Sequence, residues 1–332
     1  MLSAFGRPGA TEMRRPEHLG VHLALFATML CWGLNVSAIK LLTGQIDAVL
    51  VAATRTVVAT AALALLLRPM GVGGWRWSRR TLAFGLLGGL LIIYLQVNLF
   101  TAGLARTTAT NGALIVALGP FVSVLMERAL FKRPIGRGQA LGVGIALGGV
   151  TLVILGRPHA ELSAGTVGDL LMFASIVAFA AGGAVVQRMS ACGTPLGISL
   201  LTHLAGGALL IVHVAVGVEA PVDALRGMDW ASWGLMAFSG VLAGAVGAVV
   251  WGRGIAVLGV GRTATYLSWV PIFGVAFGAL LLGERLTPWH AVGVLAVLAG
   301  SWLALSMSGA PRTLAPPTVR EALPGRSCHE CP

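Results

Sequence analysis

Residues 263–307 read TATYLSWVPIFGVAFGALLLGERLTPWHAVGVLAVLAGSWLALSM. Two apolar runs, 263–283 and 288–307, are parted by a short polar turn holding Glu284 and Arg285. Each run has about the 20 residues that an α-helix needs to cross about 30 Å of hydrocarbon. A bilayer offers no hydrogen-bond partner to open backbone, so apolar runs this long and this free of alternation must be helices. The stretch therefore reads as a membrane-spanning helical hairpin.

Eight further runs precede it, at 19–42, 46–67, 81–105, 107–130, 138–156, 167–187, 195–218 and 231–252. Together they predict an all-α membrane protein with ten transmembrane helices. Composition agrees, since charged residues make up 11% and apolar residues 56% of the 332, whereas ordinary globular chains carry about 25% charge. The net charge of +11 is no nucleic-acid footprint, because the cations stand singly between apolar runs instead of clustering on polar surface. With 15 dispersed prolines and 4 cysteines, collagenous and disulfide-stapled classes fall away as well. The first run is too long for the apolar region of a signal peptide and reads as a retained helix. A twin-arginine export signal at Arg14 and Arg15 competes weakly, as nothing downstream resembles a soluble cargo.

Lysine and arginine beside short loops are kept on the cytoplasmic side. One side of the ten-helix arrangement collects Arg7, Arg14, Arg15, Arg68, Arg76, Arg79, Arg80, Arg128, Lys132, Arg133, Arg137, Arg188, Arg253, Arg262, Arg312, Arg320 and Arg326. The other side holds Lys40, Arg106, Arg157, Arg226 and Arg285, and Arg55 alone lies inside a run. The imbalance predicts a multi-pass protein of the cell (inner) membrane with both termini cytoplasmic.

The chain also repeats itself. A displacement of 151 residues sets Gly103 on Gly254, Ala113 on Ala264, Pro120 on Pro271, Ala140 on Ala291, Gly142 on Gly293, Leu147 on Leu298 and Gly149 on Gly300. Runs one and two match six and seven more faintly at 148, which pairs Arg55 with His203 and Lys40 with Arg188. Five helices per half is an odd number, so the second half enters the membrane upside down, as in the inverted repeats of secondary transporters. The expected organisation is a cytoplasmic head at 1–18, a first repeat at 19–156, a linker at 157–166, a second repeat at 167–308 and a disordered cytoplasmic tail at 309–332.

Gly261, Ala264, Pro271, Gly283, Glu284, Arg285, Leu286 and Thr287, followed by Gly293 and Gly300, resemble the closing signature of EamA-type domains of the drug/metabolite transporter superfamily. The first half resembles the same domain, with Trp32 and Gly33 at the aromatic-glycine position of helix one and Arg55 at the arginine of helix two. Where the second copy has Gly283, Glu284 and Arg285, the first has Lys132, Arg133 and Pro134, so the signature glutamate is present once. The resemblance implies a ten-helix bundle with a central cavity that moves small organic solutes, exporting or importing them without ATP hydrolysis. The sequence agrees on the last point, for it has no Gly-x-x-x-x-Gly-Lys loop. No cofactor is expected. The partners expected are a small-molecule substrate and the lipid bilayer, with no nucleic acid, and a homodimer is left open.

Thr28, Trp32 and Asn35 fall at i, i+4 and i+7 on helix one, and Tyr94, Asn98 and Thr101 do the same on helix three. Tyr266, Trp269 and Phe273 make an aromatic stripe on helix nine, and Gln96 and Asn111 add amides. Each could instead bond across helices or fill a packing gap. As a set they predict a polar path, because amides deep in hydrocarbon are costly unless they face protein or water. Asp47, Glu127, Asp169 and Glu284 lie near helix ends, which leaves His203 as the residue able to titrate in mid-membrane. Transport is then facilitated or an exchange, or else coupled to protons through His203. Arg55 needs acceptors, either helix carbonyls, amides of the path, or an anion on the solute. The pairs Gly144/Gly148, Gly240/Gly244 and Gly274/Gly278 predict close helix packing, and the tryptophans outside the stripes, Trp251 among them, read mainly as interfacial anchors.

Other chemistry fits poorly. Cys328 and Cys331 have metal spacing, but a structural zinc needs four ligands and no second pair exists. Gly197, Ile198 and Ser199 with His203 and His213 faintly resemble an intramembrane serine protease, yet they share one helix, while nucleophile and base normally come from facing elements. The alternative from another class is a non-transporting membrane sensor or assembly subunit.

Overall fold

The computed structural model describes residues 16–67, 78–119, 121–122, 125–126, 136–155, 164–189, 193–258, 263 and 265–306. Among these every regular element is helical. The first half contains α1 (Pro16–Thr43), α2 (Ala48–Leu67), α3 (Arg79–Gly88), α4 (Gln96–Arg106), α5 (Ala109–Val116) and α6 (Arg137–Leu155). The second contains α7 (Ala164–Met189), α8 (Pro195–Gly217), α9 (Pro221–Arg226), α10 (Trp230–Ala237), α11 (Gly247–Leu258), α12 (Val270–Leu282) and α13 (Pro288–Ser306). A π-helical segment, Gly89–Leu95, joins α3 to α4, and a second, Phe238–Val246, joins α10 to α11.

Among the described residues, 6 helices are by length and composition able to cross a membrane: Leu19–Thr43, Ala48–Leu66, Arg79–Arg106, Val167–Val186, Pro195–Gly217 and Trp230–Gly254. Ala140–Leu152, Tyr266–Leu282 and Pro288–Leu303 are shorter apolar helices. The run at 263–283 starts later than expected, because Thr265–Trp269 is a 3-10 turn. The run at 107–130 is described as regular helix mainly over α5. The short helix α9 lies in a loop where none was expected, and α7 begins at Ala164, inside the expected linker. Most of the head, the tail, residues 156–163, the Lys132–Arg133–Pro134 segment and Glu127 lie outside the described residues, as do Cys192, Cys328 and Cys331.

The two halves correspond in their breaks as well as in their runs. Asp47 accepts from the Val49 amide at 2.7 Å at the start of α2, and Thr194 accepts from the Gly197 amide at 3.2 Å at the start of α8. Ser78 and Asp229, 151 residues apart, cap α3 and α10 by accepting from the Thr81 and Ser232 amides. The π-helical segments follow at matching positions. Each packs on the second helix of the opposite half: Gly89–Leu95 on α8, and Phe238–Val246 on α2. The approach is at backbone distance, as a Cβ placed on Gly206 would lie 2.4 Å from the Gly89 carbonyl oxygen, and one on Gly240 2.7 Å from the Val58 Cβ. With α2 also lying against α8, these four elements form a reciprocal crossing between the halves.

Small residues govern the remaining contacts. A Cβ on Gly274 would meet the Ala113 Cβ at 2.4 Å where α12 crosses α5, and one on Gly33 would meet the Phe273 Cβ at 2.5 Å where α1 crosses α12. The pairs Gly240/Gly244 and Gly274/Gly278 thus pack as expected. Gly144/Gly148 does not, for nothing lies within 4 Å of a Cβ at either position. The contact of α6 with α13 uses the adjacent face, where a Cβ on Gly149 would lie 2.2 Å from the Ala296 Cβ and one on Gly300 2.5 Å from the Gly142 carbonyl.

The turn between α4 and α5 is held from three sides. Thr107 donates its hydroxyl to Asp169 Oδ1 on α7 at 2.6 Å. Lys40 on α1 donates to the carbonyls of Leu104 and Ala105 at 2.9 and 3.3 Å, placing a cation on the C-terminus of α4. At the other helix the three first-turn amides are all satisfied: Ala109 and Thr110 donate to the two carboxylate oxygens of Glu284 at 2.7 and 2.8 Å, and Asn111 donates to the Thr108 hydroxyl at 3.1 Å. Glu284 reaches them because Gly283 closes α12 in the left-handed region, at φ 63°, and turns the chain back. Lys40 and Glu284 line one cleft of about 440 Å³ with Leu41, Gly44, Gln45 and Leu282.

Two outcomes follow from this packing. Gly240→Leu forces a side chain into backbone and is expected to lower folded yield from detergent-solubilised membranes severely, whereas Gly144→Leu meets open space and leaves it unchanged; equal losses would contradict the packing described. Glu284→Ala leaves two helix-end amides without acceptors and is expected to cost about 2 kcal/mol, seen as a lower melting temperature in detergent. Glu284→Gln keeps one acceptor oxygen and should fall between alanine and wild type.

Candidate substrate path

On α1 the residues opposite the lipid-exposed Leu23, Phe26 and Leu30 are Thr28, Trp32 and Asn35. The Trp32 indole donates to the Ala243 carbonyl at 2.8 Å, inside the second π-helical segment, where the i→i−4 ladder is interrupted. Gly247 makes room, since a Cβ there would lie 2.7 Å from Trp32 Nε1. The Trp251 ring stands 5.5 Å from that of Trp32, so Trp251 belongs to the interior and is not an interfacial anchor. Trp230 and Trp302, at 91% and 70% exposure, fit the anchoring role. Met29, Leu267 and Val270 complete the cluster, with Tyr266 and Phe273 packed against it.

The stripe expected on helix nine divides. Trp269 and Phe273 stack at 6.1 Å and share Phe26, whose ring is 5.2 Å from Trp269 and 5.5 Å from Phe273. Tyr266 turns away and hydrogen-bonds His22 Nδ1 through its hydroxyl.

Tyr94 and Asn98 converge as expected, and their meeting point is His213 on α8. Asn98 Nδ2 donates to His213 Nδ1 at 3.1 Å and the Tyr94 hydroxyl approaches the same nitrogen at 3.4 Å. Thr101 and Thr28 do not join, as their hydroxyls return to the carbonyls of Val97 and Ala24 on their own helices. Gln96 is half-buried on α4. Asn35 is 7% exposed, and its Oδ1 is buried without a hydrogen-bond partner. Asn111 lies apart from this group at the start of α5, where its Oδ1 accepts from His290 Nε2 at 3.3 Å. The tautomer is set by the Thr287 amide, which donates to His290 Nδ1 at 2.9 Å and makes that histidine the third-position member of a capping box on α13.

Arg55 and His203 lie on α2 and α8, the two second helices that pack together at the reciprocal crossing. Arg55 lies seven residues into α2 and His203 eight into α8, so each is about 10–12 Å from the start of its helix at about 1.5 Å per residue. Both point away from the exposed faces, which carry Val57 and Leu65 on α2 and Leu204, Ile211 and Val212 on α8. Arg55 is half-buried and His203 buried, on helices that touch where Thr56, next to Arg55, meets Gly207, one turn from His203. His203 Nδ1 donates to the Ser199 carbonyl at 2.7 Å, one turn back on α8. Among the described residues neither the Arg55 guanidinium nor His203 Nε2 has a hydrogen-bond or ion-pair partner.

The protease resemblance does not survive this geometry. His203 bonds the backbone carbonyl of Ser199 and not its hydroxyl, and His213 is engaged by Asn98 and Tyr94. Among the described residues no cluster of three metal-ligating side chains occurs. Sequence reasoning missed Lys40, His22, His213 and His290 as members of polar networks. All four bond residues on other parts of the chain, and spacing along one helix carries no signal of that.

A family model described as the EamA-like transporter family matches residues 19–155 and again 166–306. The Bacillus subtilis (strain 168) transporter YyaM is 27% identical over 287 residues, which span 86% of this chain and 93% of YyaM. A Streptantibioticus cattleyicolor protein described as a probable terminal-alkyne amino-acid exporter is 25% identical over 84% of this chain and 91% of its own. A Salmonella typhimurium protein described as a probable amino-acid metabolite efflux pump is 25% identical over 85% and 93%. A solved crystal structure, 17% identical, superposes with a TM-score of 0.63 over 87% of this chain and 98% of its own, and so shares the fold. Two matches to one family model, covering both halves of an all-helical apolar chain, make this protein a multi-pass membrane transporter of the EamA-like transporter family.

Proposed function

We propose that the protein exports a small organic solute, amino-acid-like, aromatic or drug-like, by alternating access between two inverted repeats of five transmembrane helices each. The observation that carries this reading is the reciprocal crossing, in which each π-interrupted helix packs on the second helix of the other half. Such an arrangement has two equivalent ways to open, one toward each face of the membrane. The π-helical segments sit at the contact, and a break in the i→i−4 ladder lets a helix change direction there without losing a full turn of hydrogen bonds.

The path runs along Trp32, Asn35, Arg55, Tyr94, Gln96, Asn98, His203, Tyr266 and Trp269, with Asn111 at the Glu284 end. Aromatic rings at one end and amides and imidazoles in the middle suit a solute with an apolar body and a polar head. The outward direction and the amino-acid-like class draw support from the names of two relatives, an exporter and an efflux pump. The ends of the chain lie in the cytoplasm, and the Glu284 clamp lies at the opposite face.

Topology is tested with reporter fusions. Fusions after residue 310 and in the loops near 73 and 135 are expected to report cytoplasm, and fusions near 160 and 224 the outside; a cytoplasmic signal near 224 would sink the ten-helix inverted arrangement. Activity is tested by counterflow in proteoliposomes with a panel of amino acids, aromatic metabolites and cationic drugs. Accumulation of at least one panel member above protein-free vesicles is expected, and none with any of them would contradict the reading.

A further inference from the structure

We infer that Arg55 and His203 form a docking point for a carboxylate-bearing solute whose carboxylate has a hydrogen-bond donor beside it. The inference rests on the transporter reading for the word solute, and on the geometry of the crossing for the rest. A guanidinium presents five N–H donors and no acceptor, and it matches a carboxylate in a planar two-point fork. Arg55 carries that fork into the membrane interior, where an ionised side chain is costly unless it faces an acceptor or water.

The chain does not provide the acceptor among the described residues. Asp47 caps α2, Asp169 bonds Thr107, and Glu284 caps α5. Lys40 on α1 is committed to the carbonyls of Leu104 and Ala105. A single guanidinium at the crossing fits a monoanion better than a phosphate dianion, which calls for more than one positive charge. His203 adds the complementary half. Its Nδ1 proton goes to the Ser199 carbonyl, which leaves Nε2 as an acceptor. An ammonium or hydroxyl adjacent to the carboxylate supplies what that nitrogen lacks.

The surroundings permit close approach. Thr56, beside Arg55, gives its hydroxyl to the Ala52 carbonyl, so it makes no claim on the fork. Across from it α8 presents Gly207, where a Cβ would meet the Thr56 methyl at 3.4 Å and the Thr60 hydroxyl at 4.0 Å. Both repeats contribute equally to this point, because residues 55 and 203 are partners under the 148-residue repeat. Any movement of one half against the other changes the Arg55–His203 relation directly.

The test uses the purified full-length protein. Thermal stabilisation in detergent is measured with L-phenylalanine and L-leucine, with their carboxamides, with the deaminated acids 3-phenylpropanoate and 4-methylpentanoate, and with sodium chloride alone. Wild type is expected to need at least tenfold less amino acid than carboxamide for half-maximal stabilisation. Arg55→Lys, which keeps the charge and loses the fork, is expected to shrink that ratio by about tenfold, and His203→Ala to weaken the amino acids more than the deaminated acids. Equal response of wild type to acid and amide, no response to any acid, or a response that chloride alone reproduces would each overturn the proposal. These comparisons hold on wild type even where a variant fails to fold. Counterflow with the same panel separates the two readings: acid-selective stabilisation without transport leaves the docking point standing and removes the transporter, while transport without acid selectivity does the reverse.

Discussion

A backbone amide or carbonyl inside a bilayer has no water to turn to, and each one left unpaired costs several kcal/mol. The long helices meet this demand within themselves. At the breaks the chain supplies side chains instead. Glu284 and Thr108 satisfy the first turn of α5, Lys40 covers the last carbonyls of α4, and Trp32 reaches a carbonyl in the π-helical segment before α11. The Thr108 cap is local, but the bonds of Glu284 and Trp32 reach across the chain, so satisfying the backbone also ties the halves together. The same demand explains why Gly283 precedes Glu284: a left-handed residue at the end of α12 sends the carboxylate back across the turn.

With lipid as apolar as leucine, helices in a membrane associate through contact and shape. Glycines at Gly33, Gly89, Gly206, Gly240 and Gly274 therefore lie where helix meets helix at backbone distance. The polar groups follow from that closeness. Arg55 and His203 sit on two packed helices whose crossing is set by the glycines around them.

Much of this was legible in the sequence. Hydropathy located the long spans, since their apolar runs are unbroken, and the 151-residue repeat marked Pro271, Gly293 and Gly300 as copies of earlier positions. The 148-residue offset already paired Arg55 with His203. What escaped has physical reasons. Gly144 and Gly148 have the spacing of a packing motif, but spacing does not say whether a face meets a helix or lipid. Trp251 lies near a helix end and looked like an anchor, yet its ring lies tilted against that of Trp32 because the helix carrying it packs on α1. The Glu284 clamp and the His213 and His290 networks join residues more than a hundred positions apart, and local patterns are blind to such pairs.

The π-helical segments have a further geometric effect. Gly85 and Gly103 are separated by eighteen residues, which make five complete turns of a regular helix at about 3.6 residues per turn. In an uninterrupted rod they would point the same way. Here Gly85 abuts Leu201 on α8, while Gly103 abuts Gly168 and Met172 on α7. Each π-type ring encloses one residue more than an α-type ring, a phase slip of about 100°. The segment at Gly89–Leu95 works as a rotary joint in the helical wheel, letting one helix offer its small residues to two neighbours in succession, and a wheel drawn at constant pitch through it would assign half the helix to the wrong side.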